Sequence, residues 1–383
     1  MDVAFVTSAY PPRSPGGAGT SSKLIVEGLR DAGVHVDIFA LTEDGADPVR
    51  MQDNRYHLPD GTHYGVPIAI GENLSAYFHL PDLHEYDVIH VYNVRHLPAC
   101  VLRADPPVVA TYNNHMWTCI DPVAHLSDGV PECSLRHRIR YAKTKGYTGV
   151  TCLPRVAFNM LGKSIAQQAD LLTVQTEGMK SVLSKSGYES DNIRKVPNIL
   201  DDRFIVEPEN EKEILFVGRL KPSKGPKTVL EAFQSLSQQY EDWSLRLYGK
   251  GELEGEIRDL IEGDSQVSLE YCPYDSLPSV YKNASVLVHA SRYTEPFSRS
   301  WLEAMGSKTS IVCSENPSSV DILGDIAVLY DPFSSSDLAR TLERVLSRPA
   351  LRTEMAHAGY DAVTKYRPEK IVDGYISAYD ECR

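Results

Sequence analysis

The chain has 383 residues, 42% of them hydrophobic and 24% charged. This length predicts two domains, and the composition argues against a disordered, collagenous or coiled-coil protein. The net charge of −13 argues against general nucleic-acid binding. We expect a cytoplasmic protein with reduced thiols, because no apolar run nears ~18 residues, no signal-peptide pattern occurs, and the seven cysteines include no CxxC pair.

The first half of the chain alternates apolar runs with helical patterns. Val3–Val6 predicts a buried strand, and the helix that follows is predicted to be capped by Thr20 or Ser21 and to end at Gly33. Further runs of the kind found in strands buried on both faces of a parallel sheet occur at Val36–Leu41, Val88–Val91, Val108–Ala110 and Leu171–Val174.

The second half repeats this alternation. Predicted strands lie at Ile214–Val217, Leu245–Tyr248, Val286–His289, Ile311–Cys313 and Ala327–Leu329, and predicted helices at Pro226–Gln239, Trp301–Met305 and Asp337–Leu346. The pattern predicts an α/β protein of two doubly wound, Rossmann-like domains with ligands at strand ends facing a shared cleft. We expect domains at 1–199 and 200–367, and a terminal helix at about 368–383 that packs back on the first.

Three segments carry candidate chemistry. The loop YPPRSPGGAGTSS places Gly16, Gly17 and Gly19 between a strand and a helix, where backbone N–H groups can approach an anion. It is not a dinucleotide fingerprint, because Ser22 stands where GxGxxG requires glycine, and a purely structural turn is an equal alternative.

The second segment, ILFVGRLKPSKG, follows a predicted strand. Gly218 bends the chain there, and the cations Arg219 and Lys224 come directly after it. An arginine and a lysine at the end of a strand suit a diphosphate, although a solvated basic loop is the simpler alternative.

The third segment, SRYTEPFSRSWLEAMGSK, separates Glu295 from Glu303 by seven residues. If a helix begins near Ser300, its free N–H groups and the two carboxylates can bind phosphate and hydroxyl groups of one ligand. The alternative is a capping box, in which Glu303 only satisfies a backbone donor beside Ser300.

The order and spacing of these segments resemble the retaining glycosyltransferases of family 4, which have the GT-B fold. The resemblance covers nearly the whole chain. It rests on YPPRSPGG, DVIHVYN (Asp87–Asn93), VPNILDDRF (Val196–Phe204), VGRLKPSKG (Val217–Gly225), YGKGELEGEI (Tyr248–Ile257) and EPFSRSWLE (Glu295–Glu303). The last is similar to the E-x7-E motif of the family.

The resemblance implies a role for each matched position. Arg219 and Lys224, after Gly218, would hold the diphosphate of a nucleotide sugar, and Glu303 its ribose. Glu295, with backbone N–H groups at Phe297 and Ser298, would hold the sugar, and Gly17 would approach the phosphates from an acceptor-binding first domain. Ser298 replaces the usual glycine of the family, which changes how closely the backbone can approach the sugar. Asn113 replaces the usual histidine, so either Asn113 or His115 would take that role, and a packing role for His115 is an equal alternative.

The implied reaction is transfer with retention, in which fixed cations stabilise the leaving diphosphate. No Asp-x-Asp pair occurs, so we expect no metal and no cofactor beyond the nucleotide-sugar co-substrate. A non-catalytic GT-B module that binds nucleotide sugar or glycan is the alternative function, and an NAD-dependent oxidoreductase is a third.

One basic segment lies in this acidic chain. Residues 134–169 contain seven Lys and Arg and no Asp or Glu, whereas residues 1–133 contain 7 Lys and Arg and 17 Asp and Glu. The cations Arg136, Arg138, Arg140, Lys143 and Lys145 predict contact with an anionic membrane at the inner face of the cell membrane. They favour a polyprenyl-phosphate-linked or glycan acceptor. A solvated basic helix is the alternative, and the spacing of Cys119, Cys133 and Cys152 only weakly suggests zinc.

Overall fold

The computed structural model describes residues 1–11, 16–42, 49–51, 55–59, 68–118, 134–136, 139, 149–209 and 211–383. The chain divides into two compact units. Unit 1 is Met1–Ile199 with Pro368–Arg383, and unit 2 is Leu200–Arg367.

Strands and helices alternate through both units. The strands are β1 (Asp2–Thr7), β2 (His35–Thr42), β3 (Val49–Met51), β4 (Arg55–Pro59), β5 (Val88–Tyr92), β6 (Val108–Tyr112), β7 (Leu171–Val174), β8 (Ile193–Lys195), β9 (Glu213–Val217), β10 (Ser244–Tyr248), β11 (Val267–Glu270), β12 (Val286–His289), β13 (Ser310–Ser314) and β14 (Ala327–Tyr330). The described helices of more than one turn are α1 (Gly17–Asp31), α2 (Ile68–His79), α3 (Leu97–Arg103), α4 (Gly149–Ala166), α5 (Glu177–Lys185), α6 (Pro226–Gln234), α7 (Glu254–Leu260), α8 (Leu277–Asn283), α9 (Arg299–Gly306), α10 (Pro317–Leu323), α11 (Ser335–Leu346), α12 (Pro349–Val363) and α13 (Pro368–Cys382).

The sheet of unit 1 has the order β3-β4-β2-β1-β5-β6-β7-β8 in the described residues, with every pair parallel except β3 with β4. Its central strands are buried throughout, as their continuous apolar runs predict. Side chains of α3 and α5 pack into the cluster that contains Val91 and Tyr112. The other face is covered by α13, whose Tyr379 hydroxyl hydrogen-bonds with His90 Nδ1 at 2.6 Å.

The sheet of unit 2 is parallel, in the order β11-β10-β9-β12-β13-β14. Helices α6 and α11 pack on the face that carries Phe216 and Val288. Helix α9 covers the other face, where the Trp301 ring lies 5.2 Å from the His289 ring. The predicted α/β class with two doubly wound domains is confirmed.

Each sheet reverses its direction of winding at one point. In unit 1 the chain passes from β1 to β2 on one side and later adds β5 on the other, and in unit 2 β9 stands in the same way between β10 and β12. Ligands of open α/β sheets bind at such a reversal, outside the ends of the parallel strands. We call this side of each sheet its carboxyl edge.

The predicted cap of α1 is wrong. The helix begins at Gly17, its cap residue Gly16 makes no side-chain hydrogen bond, and Thr20 and Ser21 lie buried inside the helix. The predicted helix end is correct, because Gly33 takes the left-handed φ of +83°. The strand prediction omitted β3, β4, β8 and β11, which are short or lie at the sides of the sheets.

Candidate functional site

Two loops meet at the carboxyl edge of unit 2. One follows β9 and the other follows β12, the two strands at the winding reversal. The Arg292 N–H donates to the Ser223 carbonyl at 2.8 Å. Gly225 has a φ of +66°, and a Cβ there would lie 2.3 Å from the Ala290 carbonyl oxygen. Only glycine therefore allows the first loop to lie this close to the second.

This close approach brings Lys224 and Glu295 into contact, although they are 71 residues apart in the chain. The Lys224 ammonium donates to Glu295 Oε1, and the two side chains are 18% and 6% exposed. The Ser291 hydroxyl donates to the same oxygen, and His289 Nε2 lies 3.6 Å from it. Two loop residues and the last residue of β12 thus fix the orientation of one carboxylate.

The ion pair sets the charge of both partners. Burial raises the pKa of Glu295, but Lys224 and His289 more than offset this, so the pKa lies well below its ordinary value. Burial lowers the pKa of Lys224, but Glu295 reverses this, so the pKa lies above its ordinary value. Burial lowers the pKa of His289 despite the carboxylate beside it. Near neutral pH the site holds an ammonium, a carboxylate and a neutral imidazole.

Lys224 is also held by an aromatic side chain. Its ammonium lies 5.0 Å from the centroid of the Tyr293 ring. Burial, and then the charge of Glu295, raises the pKa of Tyr293 to about 12, so the phenol remains neutral. An ammonium has three protons, so Lys224 can hold Glu295 and a phosphate oxygen of a ligand at once.

Glu303 lies in a second buried group of polar residues. The Tyr281 hydroxyl donates to Glu303 Oε2 at 2.9 Å, and Arg299 Nε lies 3.6 Å from Oε1. Arg299 also donates to the Tyr274 hydroxyl at 2.6 Å. Burial raises the pKa of Glu303, while Arg299 and then Tyr281 oppose the rise.

The capping-box alternative for Glu303 is wrong. Helix α9 begins at Arg299, so its cap residue is Ser298, and no side chain caps it. Ser300 lies inside the first turn, and its hydroxyl bonds with that of Ser298 at 2.8 Å. Glu303 therefore contacts the side chains of Tyr281 on α8 and Arg299 on its own helix rather than the N-terminal backbone of that helix.

The remaining predicted residues of unit 2 flank these groups. The Phe297 ring is buried against Trp301 and Tyr366, with centroids 5.6 and 5.7 Å away. Gly218 lies at the end of β9, where a Cβ on Gly249 would lie 1.9 Å from the Gly218 carbonyl oxygen. Arg219 follows with its side chain exposed, so it is open to a ligand at the carboxyl edge.

The carboxyl edge of unit 1 carries neutral polar groups. Asn93 follows β5 with a φ of +68°, and its amide donates to the Ser8 hydroxyl at 2.9 Å. The Asn114 amide donates to the Asn93 side chain and, at 3.3 Å, to that of Asn113. His115 is buried, and its carbonyl accepts from the Thr118 hydroxyl at 2.6 Å. Gly17 is exposed in the first turn of α1.

Part of the basic segment lies outside the described residues. Arg136 is exposed, whereas Arg138, Arg140, Lys143 and Lys145 are not described, and neither are Cys119 and Cys133. Within the described ranges, no group of three or more His, Cys, Asp or Glu could hold a metal ion. No helix in those ranges combines the length and the apolarity needed to cross a membrane.

Sequence reasoning missed His289, Ser291, Tyr281 and Arg299. His289 ends an apolar strand, so it was counted as part of the buried run. Its position at the end of a strand beside the winding reversal was the available signal. Nothing local to Tyr281 marks its contact with Glu303, because that contact depends on how α8 and α9 pack. Arg299 lies four residues before Glu303 on the same helix, so its i, i+4 spacing was the available signal.

Two family models match almost the whole chain between them. Residues 15–204 match the model described as "Glycosyltransferase Family 4". Residues 199–362 match the model described as "Glycosyl transferases group 1".

Curated relatives and solved structures agree with these matches. An uncharacterized glycosyltransferase of Methanocaldococcus jannaschii is 25% identical, over 99% of this chain and 98% of that protein. The O-antigen chain mannosyltransferase B of Escherichia coli is 23% identical over 73% and 81%. The sucrose-phosphate synthase of Thermosynechococcus elongatus superposes with a TM-score of 0.75 at 19% identity, over 100% and 99%. Anabaena HepE, solved in complex with UDP, superposes with a TM-score of 0.70 at 16% identity, over 100% of both chains.

Proposed function

Because the chain belongs to the glycosyltransferases of the GT-B fold, we propose that it transfers a sugar, with retention, from a nucleotide-diphosphate sugar to a lipid-linked or glycan acceptor. The observation that carries the proposal is the buried pair of Lys224 and Glu295 where unit 2 reverses its winding. A cation and a carboxylate side by side suit the two ends of such a donor: a diphosphate and a hydroxylated ring.

The proposed chemistry follows from the charge that develops in the reaction. The bond between the sugar and the diphosphate breaks, and negative charge grows on the departing oxygen. Lys224, held by Glu295 and Tyr293, stabilises this charge as a cation already in place, because a preorganised charge need not reorient during the reaction. The exposed Arg219 adds a second positive charge. The acceptor hydroxyl attacks from the same face and gives its proton to the departing phosphate. No metal is assigned in this proposal, because Arg219 and Lys224 would supply the positive charge that a metal supplies to a diphosphate elsewhere.

Glu295 and Glu303 have separate roles in the proposal. Glu295 is ionised and held by Lys224, Ser291 and His289, so it accepts hydrogen bonds from hydroxyls of the donor sugar. Glu303, beside Arg299 and Tyr281, binds the ribose. Backbone N–H groups at Phe297 and Ser298 assist Glu295, and Gly17 approaches the phosphates from unit 1. Either Asn113 or His115 contacts the sugar.

The acceptor is proposed to bind to unit 1. Neutral amides of Asn93, Asn113 and Asn114 at its carboxyl edge suit hydroxyl groups, because an amide both donates and accepts. The basic segment adds affinity for a phosphate-linked lipid and for an anionic membrane, with Arg136 and Lys163 among its described members. The cysteine pattern places the protein in the cytoplasm in this proposal.

A thermal-shift panel of nucleoside diphosphates and their sugars tests donor binding, because a ligand that binds only the folded form raises the melting temperature. The donor found is then used in a transfer assay, and NMR assigns the configuration of the product. Glu295→Gln should retain nucleotide binding and lose transfer, whereas Glu252→Gln, in an exposed loop, should keep both. If no nucleotide raises the melting temperature, or if Glu295→Gln transfers normally, the proposal is wrong.

A further inference from the structure

A buried histidine and a buried cysteine lie side by side behind Glu295. His289 is the last residue of β12, Cys313 lies in β13, and the two are register partners in the parallel sheet. Their side chains are therefore on the same face of the sheet, and Cys313 Sγ lies 3.5 Å from His289 Nδ1. Both residues are almost completely buried, so neither contacts solvent as an ordinary surface group.

The other ring nitrogen of His289 faces the candidate site. Nε2 lies 3.4 Å from the Ser291 hydroxyl and 3.6 Å from Glu295 Oε1. The Ser291 hydroxyl is itself hydrogen-bonded to Glu295 Oε1. The backbone of Ser291 is fixed from β13, because its carbonyl accepts from the Ser314 hydroxyl at 2.8 Å. A continuous row of polar atoms therefore runs from Cys313 to Glu295.

Each end of this row has a defined charge. Burial raises the pKa of the Cys313 thiol and lowers that of the His289 imidazole, so both groups are neutral near pH 7. Burial also raises the pKa of Glu295, but Lys224 and then His289 more than offset this, so the carboxyl group is ionised. The row thus begins at a thiol, which can donate a proton, and ends at a carboxylate, which can only accept one.

These charges favour one arrangement of the protons. The Ser291 hydroxyl has a single proton and donates it to the Glu295 carboxylate. Its oxygen can then accept from His289, which requires that the imidazole proton is on Nε2. Nδ1 of a neutral imidazole is then an acceptor, and the Cys313 thiol is a donor within reach of it. The opposite tautomer would direct the lone pair of Nε2 at the carboxylate, which is unfavourable.

We propose that His289 and Cys313 are positioning residues for Glu295. Cys313 holds the imidazole ring with its Nε2 proton toward Ser291, and the aligned Ser291 hydroxyl fixes the carboxylate through Oε1. The second oxygen, Oε2, is thereby directed at hydroxyls of the donor sugar. The effect on the sugar rests on the proposed function, whereas the arrangement of the protons does not.

The tautomer of His289 can be observed directly in the full-length protein. Long-range ¹H–¹⁵N correlation spectra of protein labelled with ¹⁵N-histidine distinguish protonated from unprotonated ring nitrogens. The variant His289→Gln assigns the signals of His289 among those of the twelve histidines. Near neutral pH we expect a proton on Nε2 and none on Nδ1. In Cys313→Ala the Nδ1 resonance should move toward that of a nitrogen without a hydrogen bond, because its donor has been removed.

Ligand binding separates a positioning role from a merely structural one. We define the sugar preference as the Kd of the nucleoside diphosphate divided by the Kd of its nucleotide sugar, measured by calorimetry with the donor found in the thermal-shift panel. His289→Leu should lower this ratio by about tenfold, the loss expected for one hydrogen bond to a charged group. His289→Gln should retain most of it, because the glutamine amide can donate from the position of Nε2.

The cysteine is tested by a similar pair of variants. Cys313→Ala should lower the sugar preference by about threefold, because a thiol is a weaker donor than an N–H or O–H group. Cys313→Ser should restore it, because the serine hydroxyl also donates. Binding of the nucleoside diphosphate alone should be unchanged in these variants, since Lys224 keeps its contact with Glu295. A variant that was only less stable would bind both ligands less well.

Cys100→Ala is the matched control. Cys100 is also a buried thiol, but it lies on α3 in unit 1. Its removal reports the effect of losing a buried thiol on the melting temperature, and the sugar preference should remain that of the wild type. Equal losses of sugar preference in Cys100→Ala and Cys313→Ala would contradict the proposed role of Cys313.

Three further results would overturn the proposal. The first is a proton on Nδ1 of His289 in the wild type, the second is an Nδ1 resonance that does not move in Cys313→Ala, and the third is a wild-type sugar preference in His289→Leu. If the expected tautomer is found but no nucleotide binds, the proposed function fails and the positioning role fails with it, while the arrangement of the protons stands. The two failures are therefore distinguishable.

Discussion

The carboxyl edges of the two sheets have the same architecture and opposite chemistry. In unit 2 the edge holds buried charges, with Lys224 against Glu295 and Arg299 near Glu303. In unit 1 it holds mostly neutral hydrogen-bonding groups, with Asn93 bonded to Ser8 and Asn114, and the ion pair of Arg95 with Glu72 lies beside them with its arginine partly exposed. A buried charge requires a partner of opposite charge. An amide or hydroxyl at a partly exposed edge can instead exchange a protein hydrogen-bond partner for water or a ligand at little cost in free energy.

This difference matches the division of labour proposed for the two units. A diphosphate is strongly charged, so its site needs cations that are fixed before it arrives, and fixed cations are themselves stable only with counter-ions. A carbohydrate acceptor offers hydroxyls, for which amides suffice. The comparison predicts that substitutions at the edge of unit 2 have large effects and that substitutions at the edge of unit 1 have small ones.

The largest expected effect is on the stability of unit 2. Lys224→Met leaves the buried Glu295 carboxylate without its cation, which should lower the free energy of unfolding by about 3–5 kcal/mol. The double variant Lys224→Met, Glu295→Gln removes both charges and should recover most of this loss. Denaturant titration of the wild type, the two single variants and the double variant measures the free energies of unfolding. A double variant less stable than Lys224→Met would contradict the coupling between the two charges.

The second effect concerns turnover. Arg219→Ala should lower transfer about 10²–10³-fold, as expected when one transition-state charge contact is removed. Arg219 is exposed, so stability should not change. Lys221→Ala removes an exposed cation two residues further on and is the matched control. Equal rates for the two variants would show that Arg219 contributes only general positive charge.

The fold could be predicted from the sequence where both faces of a strand are buried. Runs such as Val88–Val91 are apolar at every position, which distinguishes them from surface strands. Strand β11 has only four residues, of which two are buried, one is half-buried and one is exposed. A continuous apolar run therefore does not mark this strand in the sequence. The start of α1 was misplaced because Gly16 supplies no capping side chain for a pattern to reveal.

The site was less accessible from the sequence than the fold. Local pattern marked Arg219, Lys224, Glu295 and Glu303 as candidates, but it did not favour them over simpler alternatives; the family resemblance did. The contact between Lys224 and Glu295 depends on β12 lying beside β9, which is a property of strand order. His289 and Ser291 were missed for the same reason, because their role exists only once the two loops meet.

The third expected effect is on the pH dependence of stability. It tests whether unit 1 tolerates a positive charge on the buried His90, below its carboxyl edge. Burial lowers the pKa of His90 to about 3, and its partners are the hydroxyls of Tyr379 and Thr111 rather than an acid. The folded pKa lies below the unfolded value of about 6.5, so the unfolded state binds more protons below pH 6.5. His90 alone should therefore lower the free energy of unfolding by about 2–3 kcal/mol as the pH falls from 6.5 to 4.5.

The variant His90→Gln isolates this contribution. It removes the titrating group, so its stability should change less steeply with pH over this window, whatever its absolute stability. Denaturant midpoints at several pH values measure the slope. A slope equal to that of the wild type would mean that other groups, such as the buried His96 or His289, account for the acid sensitivity.

The smallest effect should come from the neutral edge itself. Asn93 has a φ of +68°, which glycine adopts without strain, so Asn93→Gly removes the amide and leaves the backbone unstrained. The loss of its bonds to Ser8 and Asn114 should cost only about 1 kcal/mol, because water can replace the partners of a half-exposed group. Asn93→Ala should cost more, since alanine is strained at this φ, so the pair separates backbone from side chain. A loss for Asn93→Gly as large as that for Lys224→Met would mean that the edge of unit 1 is as tightly coupled as that of unit 2, and the contrast between the two sheets would fail.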